Sequence, residues 1–202
     1  LQFSEAYFYG QRADGDGNSV TNSGSINAGV TAMAGTIAAT ADYANADSLA
    51  YAYGQRADGT GNAVFNNGSI DLAVTATGGS VSANMSGSAN ATAFSYGQRA
   101  NGDDNAVSNA GFINVSVTAQ GGTVTDASLG FALANAQAYG QSSVTAAGSA
   151  LANSGVVTVQ ATALGGTIDG VVESSTAFAA GLYSDGSGNT MVNSGKVTAG
   201  AW

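Results

Sequence analysis

Few residues in this chain could do chemistry. It has no histidine and no cysteine, so the usual general base and the usual thiol nucleophile are both missing. Carboxylates, tyrosines and a handful of cations remain, with thirteen Asp and Glu against four Lys and Arg. Paired carboxylates can cleave glycosidic bonds. Here, however, the acids fall mostly in turns at repeat-equivalent places, whereas an active site would break the repeat at one point. The fourth repeat does lose its arginine, reading Gly140-Gln141-Ser142-Ser143, but acquires nothing reactive instead. The sequence predicts a non-enzyme with no catalytic, cofactor-binding or metal-ligating residues.

Two sets of residues qualify as candidate binding or ladder columns. Arg12, Arg56 and Arg99, three of the four basic residues, recur in register. Like charges stacked at strand spacing repel, so each needs an anion. Asp14 and Asp58 stand two residues later and Asp103 lies near the third arginine, which reads as structural pairing, with a bound anionic glycan as the alternative. Just upstream come Tyr7 and Tyr9, Tyr51 and Tyr53, Phe94 and Tyr96, then Tyr139 and Phe178. Residues two apart share a strand face. Tyr9, Tyr53, Tyr96 and Tyr139 therefore read as an in-register aromatic ladder; the alternative is a stacking platform for sugar rings or for a neighbouring rod.

Weaker signals resolve to ordinary structure. Asp14 and Asp16, with Asp103 and Asp104, lack the terminal Glu of a helix-loop-helix calcium loop and the nonapeptide pattern of calcium-binding β-rolls, and read as Gly-rich corners. Thr31, Thr75, Thr118 and Thr162 form a column without a second threonine rank beside it, which is a generic β-branched solvent face rather than an ice-ordering one. Glycosylation sequons such as Asn67-Gly68-Ser69 are expected by chance in so Asn- and Ser-rich a chain.

Composition narrows the class. A net charge of −9 repels phosphate backbones and anionic bilayers, so no nucleic-acid partner is expected. Charged residues are only 8%, yet the 44% apolar content, regularly placed, supplies the burial that disordered chains lack. No apolar run is long enough to span a membrane as a helix. The chain begins Leu1-Gln2-Phe3, so any secretion signal is expected to have been removed or to lie outside this sequence.

The elements that position these columns follow from an internal repeat. A glycine closing each aromatic segment recurs at Gly10, Gly54, Gly97, Gly140 and Gly181, in steps of 44, 43, 43 and 41. A second anchor, Gly-x-Ile/Val, begins at Gly24, Gly68, Gly111, Gly155 and Gly195, and a third at Gly35, Gly79, Gly122 and Gly166. After the second anchor the side chains alternate: Ile26, Ala28, Val30, Ala32, then Ile70, Leu72, Val74, Ala76, and likewise in the next two repeats. Period two means a strand with one face buried. One such unit cannot bury its apolar face alone, but stacked units can. Asp-Gly and Gly-Asn corners accept positive φ, and Asn22, Asn66, Asn109, Asn153 and Asn193 fall in register where buried amides can ladder. The expected fold is all-β, a right-handed parallel β-solenoid (β-helix) over 1–202 as one repeat domain of about 4.5 repeats. Each 43–44-residue repeat is expected to make two rungs of about 22 residues, with one wide rung per repeat as the alternative.

The run Gly15-Asp16-Gly17-Asn18-Ser19-Val20-Thr21-Asn22-Ser23-Gly24-Ser25-Ile26, with Asn153-Ser154-Gly155 and Asn193-Ser194-Gly195, resembles the repeats of bacterial autotransporter passengers and related large surface adhesins. That resemblance implies a right-handed β-helix, secretion to an extracellular or cell-surface location, and a role in adhesion or matrix. Such passengers continue into a membrane β-barrel, whose alternating strands with aromatic girdles do not occur here. This suggests either a fragment or another export route.

Neither end reads as a polar cap, with Leu1 and Phe3 apolar at the start and Val197 and Trp202 near the finish. These four are the candidate assembly ends. The expectation is a structural subunit of an extracellular filament, with self as partner in a head-to-tail homopolymer. The alternative is an adhesin module binding glycans or cell surfaces.

Overall fold

Gly, Ser, Thr, Asn and β-branched residues leave no segment that favours helix. The computed structural model of the chain describes residues 1–38 and 42–202, and among these every regular element is a strand. The first repeat gives β1 (Gln2–Asp14), β2 (Ser19–Asn22), β3 (Ser25–Met33) and β4 (Thr36–Ala38). The second gives β5 (Tyr43–Asp58), β6 (Ala63–Asn66), β7 (Ser69–Thr77), β8 (Ser80–Ser82) and β9 (Ser86–Ser88). The third follows with β10 (Ala91–Asn101), β11 (Ala106–Asn109), β12 (Phe112–Gln120), β13 (Thr123–Thr125) and β14 (Leu129–Phe131). The fourth has β15 (Ala134–Val144), β16 (Ala150–Asn153), β17 (Val156–Leu164), β18 (Thr167–Ile168) and β19 (Val171–Val172). The last is β20 (Ser175–Ser184), β21 (Thr190–Asn193) and β22 (Lys196–Ala201).

The strands lie in several parallel sheets. A long sheet carries β1, β5, β10, β15 and β20; a corner sheet β2, β6, β11, β16 and β21; a middle sheet β3, β7, β12, β17 and β22; a short sheet β4, β8, β13 and β18; and a further ladder joins the start of β5 to β9 and β14. Every parallel partner is the equivalent residue one repeat away, as in Ile26↔Ile70↔Ile113↔Val157↔Val197. This corrects the expected two rungs per repeat: among the described residues each repeat pairs in parallel with the repeats on either side of it and so forms one wide layer. The reason lies in the core. The alanine-rich long sheet and the Ile/Val-rich middle sheet face each other across the interior instead of lying side by side, with Ala50, Ala52 and Ala93 packed against Ile70, Leu72 and Val74.

The alternation along the middle sheet is buried as the sequence implies, with Ile70, Leu72, Val74 and Ala76 all at 1% exposure or less. Each such aliphatic side chain contributes about 1.5–3 kcal/mol, so these columns dominate the fold. Along the long sheet the inward phase changes once. Ala50 and Ala52 point in, and beyond Gly54 it is Gln55 and Ala57 that are fully buried. A Cβ on Gly54 would lie 2.5 Å from Ile70 Cγ2 and 2.6 Å from the Gly97 carbonyl oxygen, so only glycine lets the bend press onto the Ile column. The aromatic-segment anchor and the Gly-x-Ile anchor are thus two sides of one contact.

The shortened fourth repeat departs from the others. Asp169 and Gly170 both have positive φ, 46° and 84°, as a two-residue type I′ turn requires. They join β18 to β19 as an antiparallel pair, Thr167↔Val172 and Ile168↔Val171, so the short sheet ends in a reversed strand.

Candidate functional site

The outward face of the long sheet holds the aromatic column. Because β1, β5, β10 and β15 pair in register, Tyr9, Tyr53, Tyr96 and Tyr139 fall one above another. Their ring centroids are 5.1, 5.2 and 4.6 Å apart and their planes within 5° of parallel. Tyr7, Tyr51 and Phe94 make a second stack at 5.3 and 5.0 Å. Phe178 tilts 43° against Tyr139, and Tyr183 meets that ring edge-on. Within these stacks the rings of neighbouring layers cover one another's faces. Burial in the column pushes the Tyr96 hydroxyl up to about 12 and raises Tyr51 and Tyr139 as well. Tyr7, at the exposed edge, is also pushed up to about 12, first because its hydroxyl donates to Glu5.

The arginines sit beside these rings, brought there by the bend at the glycines. Each guanidinium lies over its own layer's tyrosine, Arg12 at 5.2 Å from Tyr9, Arg56 at 5.0 Å from Tyr53 and Arg99 at 4.9 Å from Tyr96. Arg12 Nε donates to Asp14 at 2.9 Å, and Arg56 Nη2 donates to Asp58 at 3.1 Å. Burial disfavours the Arg56 charge, yet its bond to Asp58 and that carboxylate's charge raise its pKa on balance. Arg99 differs. Its Nη1 donates to the Tyr53 hydroxyl at 3.1 Å, and among the described residues no carboxylate lies within 4.0 Å of it. Asp103, the acid suggested for it by sequence, instead accepts from the Ala147 backbone N–H at 2.8 Å.

Inside the corners run polar ladders. Asn22 donates to Asn66, Asn66 to Asn109, Asn109 to Asn153 and Asn153 to Asn193, at 2.8, 2.8, 2.9 and 2.8 Å. A glutamine ladder, missed in the sequence, runs the other way: Gln141 donates to Gln98 at 3.0 Å, Gln98 to Gln55 at 2.9 Å and Gln55 to Gln11 at 2.8 Å. Its signal was the recurring Gly-Gln dipeptide. In the turns, backbone N–H groups of Asn18 and Asn62 donate to the side chains of Asn62 and Asn105 one layer on, both at 2.7 Å. The turn carboxylates are engaged the same way, Asp16 accepting from the Thr60 N–H at 2.7 Å. These bonds join each layer to the next.

Of the candidate assembly ends, Leu1 is 94%, Phe3 63% and Trp202 65% exposed, while Val197 is half-buried against the core. Leu1 and Phe3 belong to the layer of β1, and Val197 and Trp202 to that of β22. Among the described residues no helix is long and apolar enough to cross a membrane. No known family model, curated protein or solved structure matches the chain, so its likeness to passenger repeats rests on the repeat residues quoted above.

Proposed function

We propose that this chain is a structural, non-catalytic element of an extracellular filament: a right-handed parallel β-solenoid whose copies stack head to tail. The observation that carries this reading is the directional asparagine ladder. All four amides donate the same way, each to the equivalent residue one layer on, so a further layer added in that register extends the ladder without a change of direction. A second copy laid on the β20–β22 layer brings its own Asn22 carbonyl to Asn193. The same register sets its Ile26 on Val197 and its Tyr7 on Phe178, continuing columns already five layers deep. Such a heterologous contact does not close and extends into a fibre.

Negative-stain electron microscopy of the purified protein tests this. Long, uniform fibres a few nanometres wide are expected. Short dispersed rods at high concentration would overturn the filament and leave the second reading, a surface-adhesin module that binds glycans, which the uncompensated Arg99 favours.

A further inference from the structure

We propose that Arg99 is the core of a carboxylate-binding site on the outer face of the long sheet, filled by an acidic ligand such as a uronic-acid residue. The argument does not depend on filament assembly. It begins with a break in the repeat. Pairing sets Asp14, Asp58 and Asn101 in one column, so the third layer presents a neutral amide where the first two present the carboxylate that answers their arginine. Arg99 is left as a guanidinium held over two tyrosine rings, 4.9 Å from Tyr96 and 5.8 Å from Tyr53, with one N–H directed to the Tyr53 hydroxyl.

A second observation points the same way. Arg99 Nε, like Arg56 Nε, is enclosed and makes no hydrogen bond, but Arg56 Nε still has Asp58 Oδ2 at 2.7 Å whereas Arg99 has no carboxylate within 4.0 Å among the described residues, and its register partner Ser142 has an enclosed Oγ that is also without a partner. A charged group kept partly from water without an anion is costly. The side chain is nevertheless partly exposed, so an anion can reach it from solvent. A planar guanidinium fork matches a carboxylate in two parallel hydrogen bonds, and a carboxylate is the group that the two preceding layers place there.

Isothermal titration at physiological ionic strength with trigalacturonate, galacturonate monomer and maltotriose tests the site. The wild-type protein is expected to bind the acidic sugars and not maltotriose. Arg99→Gln and Asn101→Asp should each weaken binding by about tenfold or more, the loss of one charge-assisted bond. Asn101→Asp restores the carboxylate of the second layer, so its thermal midpoint should equal or exceed the wild type, which separates lost binding from lost folding. Trimer binding much tighter than monomer marks a polymer site; equal affinities mark a site for any free carboxylate. No preference for acidic over neutral sugar, or an Asn101→Asp protein that is folded and binds as wild type, overturns the proposal. Neither result bears on fibre formation, which microscopy reads separately.

Discussion

Asn109 sits in the middle of a buried ladder, accepting from Asn66, donating to Asn153 and accepting again from the Gly111 N–H at 3.2 Å. Removing it strands polar atoms on both sides, and leaving a buried donor or acceptor unmade costs about 1–3 kcal/mol. Asn109→Ala is therefore expected to lower unfolding free energy by about that amount in urea titrations. Asn193→Ala, at an exposed residue with one ladder neighbour, should cost well under half as much. Equal losses at the two positions would mean the ladder contributes nothing beyond local turn bonds. This column was legible in the sequence because its asparagines precede a glycine anchor at constant spacing. The glutamine column was not. Straight alternation from Ala52 puts Gln55 outward, and only the bend at Gly54, fixed by Ile70 pressing from another strand, turns it in.

At the scale of elements, the long sheet couples stability to pH through its tyrosines. An unfolded tyrosine ionises near 10, whereas burial holds folded Tyr96 neutral up to about 12, with Tyr51 and Tyr139 raised in the same direction. The fold favours the protonated form, so its contribution is complete below pH 10 and is lost as pH rises from 10 through about 12. Thermal midpoints should hold between pH 8 and 9 and fall steeply at 11, and Tyr96→Phe should lose less over that interval than wild type; identical slopes would remove Tyr96 as a cause. The strand behind this sheet was readable from aromatic residues spaced two apart, such as Tyr51 and Tyr53. The β18–β19 hairpin was not, because Asp169-Gly170 resembles every other Asp-Gly corner and only the shorter spacing from Gly140 to Gly181, 41 residues, hints that the chain reverses there.

For the whole molecule, the decisive quantity is how much chain makes one layer. Sequence periodicity gives the repeat but not its division, since a 43-residue unit serves equally for two narrow rungs or one wide one; the facing of alanine against isoleucine columns across the core selects the wide one. Deletions can read this directly. Removing Ala91–Leu133, 43 residues, joins Asn90 to Ala134 and lays β15 on β5, with Tyr139 on Tyr53, Gln141 on Gln55 and Asn153 on Asn66. Each layer touches only its neighbours, so the shortened protein should keep its β-type circular dichroism and cooperative unfolding. Its urea m-value should fall by about a fifth, in proportion to the surface lost. Removing 22 residues, Ala91–Phe112, should by contrast abolish cooperative unfolding. It sets the remaining β12 residues where the long sheet belongs, so Ile113 and Val115 replace the alanines that face the Ile column and no glycine remains at the bend. A stable 22-residue deletion would show that half a repeat is a complete layer and would refute the wide-layer architecture on which the ladders, and the proposed stacking of copies, depend.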